Sequence, residues 1–242
     1  MTRPLHHGLL RALGLDPAHH PLIERARRLR RTLDRRDVRL RATYLSAAVQ
    51  PKLQIGGGEN RLEGWLNTDL SPRTPDVMLM DAARPFPFAD GTFDCIYTEH
   101  MIEHVSYEEG ALMLRECHRV LRPGGVIRIV TPDLVASLGL YGDAPTAIQQ
   151  RYLSWFYDTF LPPDQPRTPA AVVNAMFRQW GHQFIYDEMV LADAMRAAGF
   201  GSVVKHPLGE SDHPELKNLE NTGRYPDGLL DFESLALEGA RI

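Results

Sequence analysis

At 242 residues, 43% of them hydrophobic, the chain is long enough for one large domain with appendages, and its net charge of −4 is ordinary for a soluble protein. No apolar run approaches the roughly 18 residues of a membrane span, and the N-terminus lacks the apolar region of a signal peptide. Its two cysteines, Cys95 and Cys117, fall in a predicted strand and a predicted helix, which excludes a disulfide framework and favours a reducing, cytoplasmic setting.

Charge is spread unevenly. Residues 1–50 hold eleven arginines against four acids, a balance of +7, so the remaining chain carries −11. Pro21 to Tyr44 is predicted as a helix with a sparse stripe of Leu22, Leu29, Leu33 and Leu40. Two readings stay open for this basic arm, residues 1–50: a surface that meets anionic lipid or ligand, with at most weak peripheral membrane contact, or a solvated helix docked on the acidic body of its own domain. No nucleic-acid partner is expected, and a homodimer is left open.

The stretch Lys52–Asp69, KLQIGGGENRLEGWLNTD, reads as an apolar strand (Leu53–Ile55), a glycine turn (Gly56, Gly57, Gly58) and a second strand (Trp65–Thr68) with Asp69 at its carboxyl end. Glycine permits positive φ and close backbone approach, and ligands of open α/β sheets bind outside the carboxyl ends of strands. Backbone N–H groups on one side and a carboxylate on the other describe a nucleoside pocket. It is not a dinucleotide fingerprint, because Arg61 holds the third glycine position and Asp69 follows Gly58 too closely for a helix between them. It is not a phosphate loop either, since the chain has no Lys-Ser or Lys-Thr pair.

A third strand is predicted at Asp76–Met80, ended by Asp81, and a fourth at Phe93–Tyr97. Ser106–Glu109 is a capping box that opens a helix with Leu114, Cys117 and Leu121 on one face, stopped by Pro123-Gly124. Val126–Val130 is predicted as strand five. Asp187 caps a second helix that ends at Gly199; Ser202–Lys205 and Ser234–Glu238 are predicted as the last two strands. Strands alternating with helices imply a mostly parallel sheet covered on both faces.

The pieces LQIGGG…NTD, DAARPFPFADGTFDCIYTEHMIEHV and LRPGGVIRIVTPD, in this order, resemble the class I S-adenosylmethionine-dependent methyltransferases, in a bacterial branch of type 11. The resemblance implies an α/β, Rossmann-like, seven-stranded, mostly parallel sheet with helices on both faces over residues 51–242. It implies an antiparallel last strand inserted at the sheet edge, and S-adenosyl-L-methionine as cofactor. Gly56, Gly57 and Gly58 would then flank the methionine part, and Asp69 with Leu70 the ribose. Asp81 with Ala82 would face the adenine, and Thr98 with Glu99 would border the methyl group. Gln54 departs from the family, where many members carry an acid.

Thr98-Glu99-His100-Met101-Ile102-Glu103-His104 follows strand four directly, and helical spacing would put His100, Glu103 and His104 on one face. Three readings stay open here. His104 or His100 acts as a general base oriented by a glutamate. Alternatively the group binds a metal, as the E-x-x-E-H of similar ubiquinone-pathway methyltransferases does. Or it is a structural hydrogen-bonding set. No metal ligand set is assigned, because a fourth ligand is not evident. His182, in WGHQF, is a further candidate base carried by an aromatic-rich insertion, residues 135–186, that is expected to act as a lid. The expected activity is methyl transfer to a small-molecule or glycoconjugate acceptor, foremost at a hydroxyl. The alternatives are an amine acceptor and a non-catalytic nucleotide-binding partner subunit.

Overall fold

The computed structural model describes residues 35–142 and 144–242. Helix α1 (Arg36–Ala47) leads into strands β1 (Lys52–Ile55), β2 (Leu66–Asp69), β3 (Met78–Leu79) and β4 (Phe93–Glu99). Helix α2 (Tyr107–Val120) joins β4 to β5 (Leu121–Pro132), and α3 (Leu134–Gly139), α4 (Ala147–Thr159) and α5 (Pro169–Arg178) follow. Helix α6 (Glu188–Ala197) precedes β6 (Phe200–His206), and α7 (Leu229–Glu233) precedes β7 (Ser234–Arg241).

All seven strands join one sheet in the order β3-β2-β1-β4-β5-β7-β6. Pairings among β1 to β5 are parallel, and β7 runs antiparallel to both β5 and β6. Every residue of β4 is buried, as a parallel strand covered on both faces requires. The last strand is therefore antiparallel as expected, but it is not at the edge. Its residues Leu235, Ala236 and Leu237 are buried, which suits an interior place, whereas β6 is mostly exposed or half-buried and takes the edge.

Local rules explain most of the boundaries. The capping box forms: Ser106 Oγ accepts the Glu109 N–H at 3.2 Å, and the Glu109 carboxylate accepts the Ser106 N–H at 3.1 Å. Helix α2 nevertheless stops at Val120, ahead of Pro123-Gly124. Leu121 already pairs with Phe93, and the ladder slips before Val126 meets Cys95, so the Pro-Gly pair lies in an irregularity of β5. Asp187 caps α6 as expected, accepting the Val190 N–H at 2.7 Å. The third strand is only Met78–Leu79, shorter than Asp76–Met80, because it is an outer strand with β2 as its sheet partner.

Of the predicted basic helix, the described part runs to Ala47; residues 1–34, with Pro21, Leu22, Leu29 and Leu33, lie outside the described residues. This part is docked on the sheet. Asp37 accepts the Leu79 N–H at 2.9 Å, Tyr44 OH donates to the Lys52 carbonyl at 2.9 Å, and Leu40, Tyr44 and Leu45 pack on the main core. Helices α4 and α5 build a second core, with Tyr152, Phe156, Val172, Ala175 and Met176 buried together against Leu229 of α7. Among the described residues, no helix is long and apolar enough to cross a membrane.

Arg128 of β5 is fully buried. Its guanidinium donates to Glu220 (2.5 Å), Glu238 of β7 (2.7 Å), and the carbonyls of Glu210 (2.8 Å) and Pro207 (3.1 Å). One side chain thus ties the sheet to the segment that crosses over its carboxyl end. Removing one member of a buried pair strands the partner's charge and costs about 3–5 kcal/mol. Arg128→Met should lose that much in urea unfolding. Arg167→Ala, which breaks an exposed pair with Asp158, should lose under about 1 kcal/mol. Equal losses in the two variants would contradict the account.

Candidate active site

At the carboxyl ends of β1 and β4 lies a polar cleft of about 310 Å³, lined by Gln54, the Gly56–Asn60 turn, Glu99, His100, Asn221 and Arg224. The turn needs its glycines. Gly56 has φ +67°, and a Cβ there would lie 2.2 Å from Met101 Cγ. Gly58 has φ +55°, and a Cβ there would meet nothing within 4 Å, so this side of the turn is open. The turn is braced from β2: Gly57 N–H donates to the Thr68 carbonyl at 3.1 Å, and Gly58 N–H donates to Asp69 Oδ2 at 2.9 Å. These two N–H groups are therefore turned into the protein, not free for a ligand as the glycine motif suggests. Asp69 Oδ1 also accepts the Ser71 N–H at 2.7 Å, which leaves about half of the carboxylate's acceptor sites open.

Glu99, the last residue of β4, is buried and gathers distant chain around the cleft. It accepts from Asn221 N–H at 3.0 Å, Arg224 Nη2 at 3.3 Å and Asn60 Nδ2 at 3.5 Å. Gln54 Oε1 is buried beside the turn without a hydrogen-bond partner. The cleft thus offers acceptors, Glu99 and Gln54, to a ligand bearing ammonium and hydroxyl donors.

His100 makes the turn out of β4. Its φ of +48° is the left-handed region, unusual for a residue with a side chain. The conformation is held by its N–H donating to the Val130 carbonyl at 2.9 Å, by Nε2 at 3.2 Å from Ser234 Oγ and by Nδ1 at 3.4 Å from Glu103 Oε1. Burial opposes the charge of this ring, but Glu103 outweighs it, and the pKa is raised. For Glu103, burial works against ionisation and is overcome by His100, so its pKa is lowered. The pair is a buried ion pair, extended by Thr131 Oγ1 donating to Glu103 Oε2 at 3.1 Å.

A second cavity of about 490 Å³ shares His100 and Arg224 with the cleft. Its walls include Glu103, His104, His182, Glu233 and the rings of Tyr152, Phe156, Phe160, Trp180 and Tyr225. Residues 102–104 form one 3₁₀ turn, not an α-helical turn, so His100 and His104 do not share a face. The segment after α5 brings His182 here: Gln183 N–H donates to the Glu103 carbonyl at 2.7 Å, and Gln183 Nε2 to the His104 carbonyl at 2.8 Å. Trp180 (φ +57°) and Gly181 (φ +81°) make the reversal. The His104 and His182 rings meet edge to face, centroids 4.8 Å apart. Burial lowers the pKa of His104, with His182 adding to the effect against the opposing charge of Glu103. His182 Nδ1 contacts the Met176 carbonyl at 2.5 Å, which makes Nδ1 the protonated nitrogen and leaves Nε2 free to accept.

Of the predicted residues, the structure gathers Gly56, Gly57, Gly58, Glu99 and His100 around the cleft, and His100, Glu103, His104 and His182 around the second cavity. Asp69, Leu70, Asp81 and Ala82 line neither; Asp69 adjoins the cleft through Gly58, and Asp81 accepts the Ala83 N–H at 3.0 Å. Thr98 is fully buried inside the sheet. Asn221 and Arg224 meet Glu99 of β4 across more than a hundred residues of chain, Tyr225 meets His100 and Glu233 meets Tyr152 from far along the chain as well, and no local pattern marks any of the four. Glu103, His104 and His182 place one donor atom each within 4.8 Å of one another and could hold a metal ion. A closed tetrahedral site would need donors about 3.3 Å apart.

Residues 61–129 match a family model described as a methyltransferase domain. No curated protein matches the sequence. Among solved structures, a Thermotoga maritima methyltransferase described as a possible histamine N-methyltransferase is similar at 18% identity and TM-score 0.46, over 89% of this chain and 97% of that one. An Archaeoglobus fulgidus S-adenosylmethionine-dependent methyltransferase gives 17% and 0.46, over 84% and 92%. One from Mesorhizobium loti gives 17% and 0.43, over 84% and 95%. The family match falls on the stretch that carries the glycine turn's exit, β4 and most of β5, so this part of the chain is similar to a methyltransferase domain, an enzyme unit that uses S-adenosyl-L-methionine as cofactor, and the seven-stranded sheet continues it on both sides.

Proposed function

We propose that this methyltransferase transfers the methyl group to a hydroxyl of a small acceptor held in the second cavity, with the cofactor in the polar cleft. The observation that carries the reading is the shared wall: His100 and Arg224 line both spaces, so the two ligands would meet there. Bound S-adenosylmethionine supplies the electrophilic methyl group. The protein's part is to orient two ligands and to take up a proton, and orientation alone can supply ~7–11 kcal/mol of the barrier.

In this reading Glu99 and Gln54 accept from the methionine ammonium, beside Gly56, Gly57 and Gly58. Asp69, with Leu70, holds the ribose hydroxyls at its open lone pairs, and Asp81 with Ala82 borders the adenine. His104 takes the acceptor's proton, because its burial keeps the ring neutral, and His182 stands against it. His100 and Glu103 fix the turn that carries His104. Residues 135–186 serve as the lid of the acceptor site, since Tyr152, Phe156, Phe160, Met176 and Trp180 line it. Residues 51–242 form the catalytic domain, onto which the helix Arg36–Ala47 packs, and the free, buried Cys95 and Cys117 suit a cytoplasmic, biosynthetic enzyme.

Asp69→Ala should weaken S-adenosylhomocysteine binding about 10–100-fold, the worth of hydrogen bonds to a charged group; unchanged affinity by calorimetry would remove Asp69 from the site. His104→Ala should lower turnover by about 10²–10⁴ with cofactor affinity unchanged. A base must be unprotonated, and the His104 pKa is lowered. Wild-type activity should therefore persist as pH falls below the ordinary imidazole value of ~6.5. If His104→Ala and His182→Ala both stay within a few-fold of wild type, the accepting atom is a nitrogen that needs no base. Dialysis against a chelator should leave turnover unchanged. Loss on chelation with recovery by one cation would give Glu103, His104 and His182 a metal-binding role.

A further inference from the structure

Glu233 closes α7 in the wall of the second cavity, and it is buried, 7% exposed. Tyr152 OH donates to its Oε2 at 2.5 Å and Tyr225 OH to its Oε1 at 2.6 Å. Burial first, and then the negative charge of Glu233, keep both phenols protonated, so they donate to the carboxylate as neutral groups. Among the described residues no lysine, arginine or histidine forms an ion pair with Glu233. The other charged groups of this wall have nearer partners, Arg224 with Glu99 at 3.3 Å and His100 with Glu103 at 3.4 Å, although the charge of Glu233 also favours the protonated His100 ring from a distance. A carboxylate out of water without a directly paired counter-charge is costly, and proteins normally pair it.

The surroundings of that charge are aromatic. Tyr152, Phe156, Phe160, Trp180 and Tyr225 line the same cavity, in a chain of ring contacts that includes Trp155 against Tyr225 at 5.0 Å and Phe160 against Trp180 at 5.1 Å. Aromatic rings attract cations, most strongly where water is excluded. Glu233 lines the second cavity and is not among the residues of the polar cleft, so its charge faces the acceptor's space, not the cofactor's.

We propose that the second cavity recognises its acceptor through a cationic nitrogen, an ammonium or quaternary ammonium group seated against Glu233 among the aromatic rings, at a point on the acceptor apart from the methylated hydroxyl. The acceptor class is then a small amino alcohol or an amino-substituted sugar. The inference rests on the second cavity being the acceptor's.

The test is a tryptophan-fluorescence titration of the full chain at pH 7, with and without S-adenosylhomocysteine, using choline and its uncharged isostere dimethylbutanol. Wild type should bind choline at least about tenfold more tightly than dimethylbutanol. Glu233→Gln, which keeps an acceptor for the phenols but loses the charge, should bring that ratio to about one while calorimetry shows unchanged affinity for S-adenosylhomocysteine. If Glu233→Gln does not fold, Trp180→Ala, at a half-exposed position, should weaken choline more than dimethylbutanol. Equal affinities in wild type, no saturable choline binding, or a ratio that survives the substitutions would each overturn the proposal. A wild type that binds choline selectively but not S-adenosylhomocysteine would count against the cofactor site alone and leave the cation site standing.

Discussion

The carboxyl end of β4 sets the geometry of everything around it. Glu99 ends the strand with its carboxylate drawn toward Asn221 and Arg224, and one residue later His100 turns the chain in the left-handed conformation. A strand that continued straight would place both side chains in alternation across a sheet face. The turn instead leaves Glu99 facing the polar cleft and His100 in the wall between cleft and second cavity. Backbone strain of this kind costs of order 1–3 kcal/mol and persists only where the surroundings over-determine it. Here the His100 N–H bond to Val130, the Ser234 contact and the Glu103 ion pair supply that constraint.

Two buried charge groups then fix the segments that arrive from far along the chain. Arg128 holds Glu220, Glu238 and two carbonyls, which pins residues 207–220 across the strand ends. With that segment pinned, Asn221 and Arg224 come into reach of Glu99, and the short helix α7 delivers Glu233 to the second cavity. The insertion supplies the other walls. Its aromatic residues do two jobs at once: Tyr152 and Phe156 are core side chains of the helical cluster, and the same rings face the cavity.

Function divides along the same lines. In the proposed function, the sheet and the glycine turn serve the cofactor. The second cavity is built from the 3₁₀ turn, the insertion and the α7 region, and it combines a pair of imidazoles with an aromatic wall and two carboxylates, one paired and one not. In the proposed function, His104, whose pKa burial lowers, and Glu233, held by two phenols, would place proton uptake and cation recognition at different residues of one small space.

What the sequence by itself determined is what depends on short-range chemistry. The capping box at Ser106, the Asp187 cap, the glycine turn and the apolar strands each follow from residues within a few positions, and together they were enough to give the sheet's class; the cofactor came only with the family resemblance that these stretches carry. The limits of that reading are also local: Pro123-Gly124 looked like a helix stop, but strand pairing of Leu121 with Phe93 ends the helix first. The glycine N–H groups looked free, but β2 takes two of them. Only the tertiary structure decided which residues share a cavity. Glu99 with Arg224, His104 with His182, and Tyr152 with Glu233 are pairs separated by 78 to 125 positions or brought together by an insertion with no fixed length. Such contacts depend on which loops cross the strand ends, and that is settled by global packing and buried charge, which leave no periodic signal in the chain.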